Sequence, residues 1–202
     1  MSPEIKATDV KALRERTGAA MMDCKSALTE ADGDIDKAIE LLRVKGQASA
    51  AKRSGRSTSE GIVASYVHAT GRIGSLVEIQ CETDFVARNE DFKAFAYEVA
   101  LHVAATSPQY VSTDEISAEE REAEKRVFEE KAREEGKPDN VVEKIVEGQL
   151  AKWGKEVALL DQAHVNAEKH DSKSIEELRQ ELAAKTGENI RIARFSYFRV
   201  GE

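Results

Sequence analysis

Cysteine is nearly absent from this chain of 202 residues: Cys24 and Cys81 are the only two. They lie far apart and without metal-ligand spacing, which excludes a disulfide framework and fits a reducing compartment. Aromatic residues are scarce as well, at 5%, so each Phe and Tyr is worth locating. No apolar run approaches a membrane span, and the opening "MSPEIKATDV" has no apolar core, so a cytosolic protein is expected. Basic charge is not in excess either. A net charge of −8 argues against a general nucleic-acid binder, which usually carries a basic footprint. Phosphate-cradling motifs are missing: there is no G-x-x-x-x-G-K-[ST], and Gly71 with Gly74 makes no dinucleotide fingerprint. His68, His102, His164 and His170 form no H-x-x-x-H or H-E-x-x-H pair, so no metal or cofactor is expected. His102 falls toward the end of a helix, where the dipole favours a cation.

Charged residues make up 34% and apolar residues 41%, a balance suited to a soluble, helix-rich protein that can bury a core. Residues 1–46 read as a compact helical unit. Val10 and Leu13 share one face of a short helix that Gly18 stops. Met21, Cys24 and Leu28 recur at helical spacing. Asp34 can cap a third helix bearing Ile35, Ala38, Ile39 and Leu42. Residues 47–60, "QASAAKRSGRSTSE", read as a linker, with alanines able to extend the third helix before it frays. From Gly61 the period changes: Val77, Ile79 and Cys81 alternate against Glu78 and Gln80, and "TGRIG" is a plausible hairpin turn. Asn89 to Thr106 then reads as a helix, which Pro108 stops. Ser117 with Glu120 forms a capping box, and Gly136-Lys137-Pro138 turns the chain into a returning helix, giving a projecting hairpin at about 117–155. A last helix carries Ile175, Leu178 and Leu182, and "NIRIARFSYFRV" closes the chain as a strand. The order predicts an α+β fold: a three-helix N-terminal unit, then an antiparallel-sheet core with helices at 61–202.

Few residues here suggest chemistry. Cys24 lies on an apolar stripe, the usual place of an inert thiol, and no nearby base would activate it. The carboxylates fall in runs typical of solvated helix faces. Lys52, Arg53 and Arg56 could touch phosphates, but without interleaved aromatics they read as a soluble connector. The stretch Thr83-Asp84-Phe85-Val86 is different, because it puts an aromatic residue at a strand-to-helix corner. Two readings stay open. Thr83 or Asp84 caps a helical turn and Phe85 staples onto its own core, as most phenylalanines do; or Phe85 is an anchor for another protein's pocket.

Three stretches carry a family resemblance. "VKALRERTGAAMMDCKSALTEADGDIDKAIELLR" (Val10 to Arg43), "CETDFVARNEDF" (Cys81 to Phe92) and "GKPDNVVEKIVEGQLAKW" (Gly136 to Trp153) together resemble the bacterial elongation factor Ts family, the guanine-nucleotide exchange partners of elongation factor Tu. The resemblance implies an N-terminal unit similar to a ubiquitin-associated three-helix domain. It further implies an exchange loop, Thr83, Asp84, Phe85 and Val86, in which Asp84 and Phe85 press into the partner GTPase and dislodge its Mg²⁺. Arg14, Met21 and Met22 become contacts of the N-terminal unit, although Met21 shares the stripe of Cys24 and Leu28 and so could be core. A protein of this kind has no nucleotide site, performs no covalent catalysis, and binds no specific nucleic acid. The chain resembles the short form of the family, which implies a homodimer and a two-plus-two assembly with the GTPase. It departs from the family where Gln162-Ala163-His164-Val165 replaces the usual Gln-Pro-Phe-Val. The alternative is a ubiquitin-associated-like binding adaptor without exchange activity.

Overall fold

The computed structural model describes residues 5–202; residues 1–4 of the expected N-terminal unit lie outside it. The described residues form an α+β fold, with eight α-helices and a three-stranded antiparallel sheet of order β1-β2-β3. No helix among the described residues is long and apolar enough to cross a membrane. Two compact units make up the chain. One gathers the residues up to Ile62, Ile79–Ala96 and Glu177–Arg191; the other gathers Val63–Glu78, Tyr97–Glu176 and Ile192–Glu202.

In the first unit, helices α1 (Ala7–Thr17), α2 (Met21–Glu30) and α3 (Ile35–Arg53) pack around Val10, Leu13, Cys24, Ala27, Leu28 and Ala38. Gly18, at φ +68°, ends α1 in the left-handed region and returns its N–H to the carbonyl of Arg14. Only glycine adopts that conformation without strain. The Asp34 carboxylate accepts the N–H groups of Asp36 and Lys37, both at 3.1 Å, and so caps α3. Those bonds, with that from Lys37 foremost, hold Asp34 below the usual carboxylate range. Helix α3 runs on to Arg53, so the first part of the stretch read as a linker is helical. Alanine is the strongest helix former, and Arg53 is tied at the helix end by bonds to Ser49 Oγ (2.9 Å) and the carbonyl of Ala183 (3.2 Å).

Strands β1 (Glu60–Val67) and β2 (Ile73–Cys81) form the hairpin, and β3 (Arg191–Arg199) pairs with the free side of β2. Ser75, Val77, Ile79 and Cys81 are buried while Leu76 is exposed, the alternation of a half-covered strand. At Gly61 a Cβ would stand 2.1 Å from the carbonyl oxygen of Ile79, so only glycine fits that register. Beyond the hairpin come α4 (Asp84–Ala87) and α5 (Glu90–Thr106), whose buried stripe is Phe92, Ala96, Val99, Ala100 and Val103.

In the second unit, α6 (Ala118–Glu134) opens with the reciprocal Ser117–Glu120 capping box. It packs on α7 (Asp139–Val157) through Ala132, Val142 and Val146, with Phe128 and Leu150 around them. Gly136, at φ +71°, makes the turn between the two helices. Helix α8 (Ile175–Thr186), nearly all of it in the first unit, precedes β3.

Candidate functional site

The site is built where β2 ends. Thr83 has extended backbone, and its Oγ1 accepts from the N–H of Val86 at 3.4 Å, capping the single turn of α4. Asp84 pairs with Arg88 across that turn at 3.0 Å. Ala87 is buried beneath it and Val86 is partly covered. Phe85 points away from all of this and is 81% exposed, the highest value among the large apolar side chains of the described residues. The staple reading is therefore half right: Thr83 caps the turn, but Phe85 contributes nothing to its own core.

The turn is held from below by residues that sequence reasoning missed. The Glu188 carboxylate accepts from the N–H of Glu82 (3.0 Å), the N–H of Thr83 (3.1 Å) and the Thr83 hydroxyl (2.6 Å). In return, Glu82 Oε1 accepts from the N–H of Asn189 at 2.6 Å. Asn189 is buried, and its amide donates to the carbonyls of Ser54 (3.2 Å) and Arg56 (3.0 Å). Burial and then the charge of Glu188 push the Cys81 thiol up to about 11, so it stays protonated and its Sγ donates to the carbonyl of Thr83 at 3.2 Å. A low-pKa thiol would be the reactive kind; this one is structural. The only hint in the sequence was a polar Glu-Asn pair between the Gly187 stop and the final strand.

Arg14, Met21 and Met22 lie on α1 and α2 of the same unit, and all three are exposed. Met21 is 44% and Met22 70% exposed, so the buried stripe of α2 is Cys24, Ala27 and Leu28, without Met21. These residues do not join the Thr83 turn directly. Lys185 lies between the two, with its aliphatic stem against Gly18 and its ammonium paired with Asp91 at 2.7 Å.

The histidines give a second cluster, in the other unit. His102 is fully buried and neutral, which corrects its reading as a helix-end cation. Its Nδ1 accepts from the N–H of Val165 at 3.0 Å, so Nε2 carries the proton toward Gln162 Oε1 at 2.8 Å. Burial drives its pKa down to about 4, against the opposing bond to Gln162. His164 stacks on His102 with centroids 5.4 Å apart and meets His170 edge-on at 4.2 Å. Burial lowers its pKa too. Burial would raise Glu98, but its bond and charge contact with Lys169, and the nearby His164 and His170, hold it below its ordinary value.

Glu98, His164 and His170 bring three potential ligand atoms within 4.8 Å of one another, a donor set of the kind that holds zinc. The hydrogen bonds of His164 speak against that use of its ring. Nδ1 of His164 accepts from the N–H of Asn166 at 3.1 Å, so the neutral ring keeps its proton on Nε2, which faces a Glu98 carboxylate oxygen 3.4 Å away. A metal would need a lone pair at that nitrogen.

An 81% exposed phenylalanine held on a clamped turn is the arrangement of a protein-binding surface. Comparison narrows this to one family. Residues 4–171 match the family model described as Elongation factor TS. The elongation factor Ts of Syntrophomonas wolfei is 54% identical over 198 residues, covering 98% of this chain and 91% of the relative. That of Caldanaerobacter subterraneus subsp. tengcongensis is 51% identical and covers 98% of both chains. That of Geobacter metallireducens is 52% identical over 98% of this chain. The chain belongs to the elongation factor Ts family. Membership disfavours the ubiquitin-type adaptor reading.

Proposed function

We propose that this chain is a guanine-nucleotide exchange factor of translation elongation, which binds elongation factor Tu carrying GDP and speeds release of the nucleotide. The exposure of Phe85 at 81% on a turn fixed at both ends carries this reading. An apolar side chain already held out in water enters a pocket with little ordering cost. Asp84 and Phe85 are the intruding pair, with Thr83 and Val86 framing them. Mg²⁺ of the partner bridges phosphate charge; displacing it raises the off-rate of GDP with no bond made or broken. The chain thus acts on the GTPase's nucleotide site without one of its own, and does so in the cytoplasm.

The N-terminal helices, as a ubiquitin-associated-like unit, dock on the GTPase through Arg14, Met21 and Met22. Met22, at 70% exposure, suits an adaptable apolar contact. Met22→Asp is expected to raise the half-saturating concentration in exchange assays about tenfold while leaving the maximal rate unchanged. A lowered maximal rate with unchanged half-saturation would remove Met22 from the docking surface.

Two copies associate, giving the two-plus-two assembly. The support is an apolar sheet surface left open: Val63, Val67, Phe198 and Val200 are each more than 60% exposed, and Leu76 is 46% exposed. Patches of this kind mark interaction sites. The near-equal length of the Caldanaerobacter relative fits the short form. Sedimentation is expected to give twice the chain mass of 22.3 kDa, and Phe198→Asp is expected to yield monomer. A wild-type monomer at micromolar concentration would contradict the dimer.

Linkage tests the exchange reading. If the factor and GDP weaken each other, the coupling is reciprocal. Calorimetry is expected to show the chain binding nucleotide-free elongation factor Tu more tightly than the GDP form, by the same ratio as it weakens GDP. Equal affinity for the two forms would overturn the reading.

A further inference from the structure

We infer that Glu188 is a positioning residue for nucleotide exchange: its carboxylate presets the turn that presents Phe85. This rests on the exchange role of the Thr83–Val86 turn. Glu188 follows Gly187, whose φ of +76° ends α8 and sends the chain back toward β2. It sits 105 residues from Thr83, yet it closes three bonds onto Glu82 and Thr83.

The direction of those bonds matters. The Thr83 hydroxyl donates its single proton to Glu188 Oε1, which leaves the oxygen lone pairs facing the N–H of Val86. A hydroxyl free to rotate would cap the turn only part of the time. One carboxylate therefore fixes the backbone entering the turn, through two N–H groups, and the cap that holds the first helical residues. Bonds to an ionised acceptor are shorter and about twice as strong as neutral ones, and without Glu188 the two N–H groups lose their acceptor. The reciprocal bond from the Asn189 N–H to Glu82 keeps Glu188 itself in place.

Phe85 is 81% exposed, so its direction is set chiefly by the backbone of α4. A displacement of about 1 Å in a positioned group can cost on the order of a hundredfold in rate. Loosening the clamp should therefore lower the speed of exchange more than the affinity, because docking through α1 and α2 is untouched.

The test is stopped-flow release of fluorescent GDP from elongation factor Tu at rising concentrations of chain. Wild type, Glu188→Ala, Glu188→Gln, Phe85→Ala and the double variant are compared, with thermal midpoints in parallel. Glu188→Ala is expected to lower the maximal rate about tenfold, with half-saturation within about twofold of wild type. Glu188→Gln keeps an acceptor for the N–H groups and is expected to fall between them. In the Phe85→Ala background, removing Glu188 is expected to cost much less than it does in wild type, since it acts chiefly through that side chain. A wild-type rate for Glu188→Ala beside a slow Phe85→Ala overturns this inference alone. Losses that multiply in the double variant also overturn it, because they assign Glu188 to general stability. A wild-type rate for Phe85→Ala instead removes the exchange role of the turn, and the inference with it. If Glu188→Ala does not fold, Glu188→Gln decides: a wild-type maximal rate in it beside faster amide exchange at Glu82 and Thr83 overturns the clamp.

Discussion

Replacing Phe85 with Ala is expected to lower the maximal rate of GDP release at least about thirtyfold and to leave the fold almost unchanged. The two halves of that expectation have separate causes. A well-placed aromatic anchor is worth about 2 kcal/mol or more at an interface, and each 1.36 kcal/mol is about tenfold in rate. In the free chain the ring is 81% exposed, so its removal opens no cavity. Surface substitutions of this kind stay within about 0.5 kcal/mol, which for a chain of this size moves the thermal midpoint by about 2 °C at most. Exchange kinetics and a thermal melt on one preparation check both halves. A midpoint lowered by several degrees would return Phe85 to the core.

The second large effect is acid lability, and it arises far from the exchange turn. His102 is neutral in the folded chain, with its pKa lowered from 6.5 to about 4. A group whose folded pKa is depressed in this way adds stability above its ordinary value, and that stability disappears as pH falls toward the folded value. At about 1.4 kcal/mol per unit, His102 alone accounts for about 3 kcal/mol lost between roughly pH 6.5 and pH 4. His164 is shifted in the same direction by burial, and Glu98 adds loss below its own ordinary range. Urea midpoints measured from pH 7 to pH 4 are expected to fall steeply, and the slope is expected to flatten in His102→Gln. A flat wild-type profile, or an unchanged slope in the variant, would contradict the neutral buried imidazole.

Much of the fold was legible because its signals are local. The alternation through Val77, Ile79 and Cys81, the Asp34 cap and the Ser117–Glu120 box each depend on residues a few positions apart. The Thr83 turn was legible as a turn for the same reason. Its exposure was not, because a phenylalanine at a corner is compatible with either side of the surface. Met21 misled by its spacing: it is in register with Cys24 and Leu28, but it opens α2 and stands 44% exposed. Two features needed the fold itself. The Glu188 clasp joins residues more than a hundred apart, and a lone glutamate after a helix stop carries no local mark of its partner. The histidine stack depends likewise on α5 meeting the segment after α7. Read one at a time, those histidines gave only a helix-end cation and three unremarkable side chains.

The exchange account stands most directly on the rate at which GDP leaves elongation factor Tu as the wild-type chain is titrated in. Release is expected to rise hyperbolically with chain concentration, to a plateau far above the spontaneous rate. A rate that stays at the spontaneous value across the titration, with binding of the two proteins demonstrated in the same samples, would contradict it.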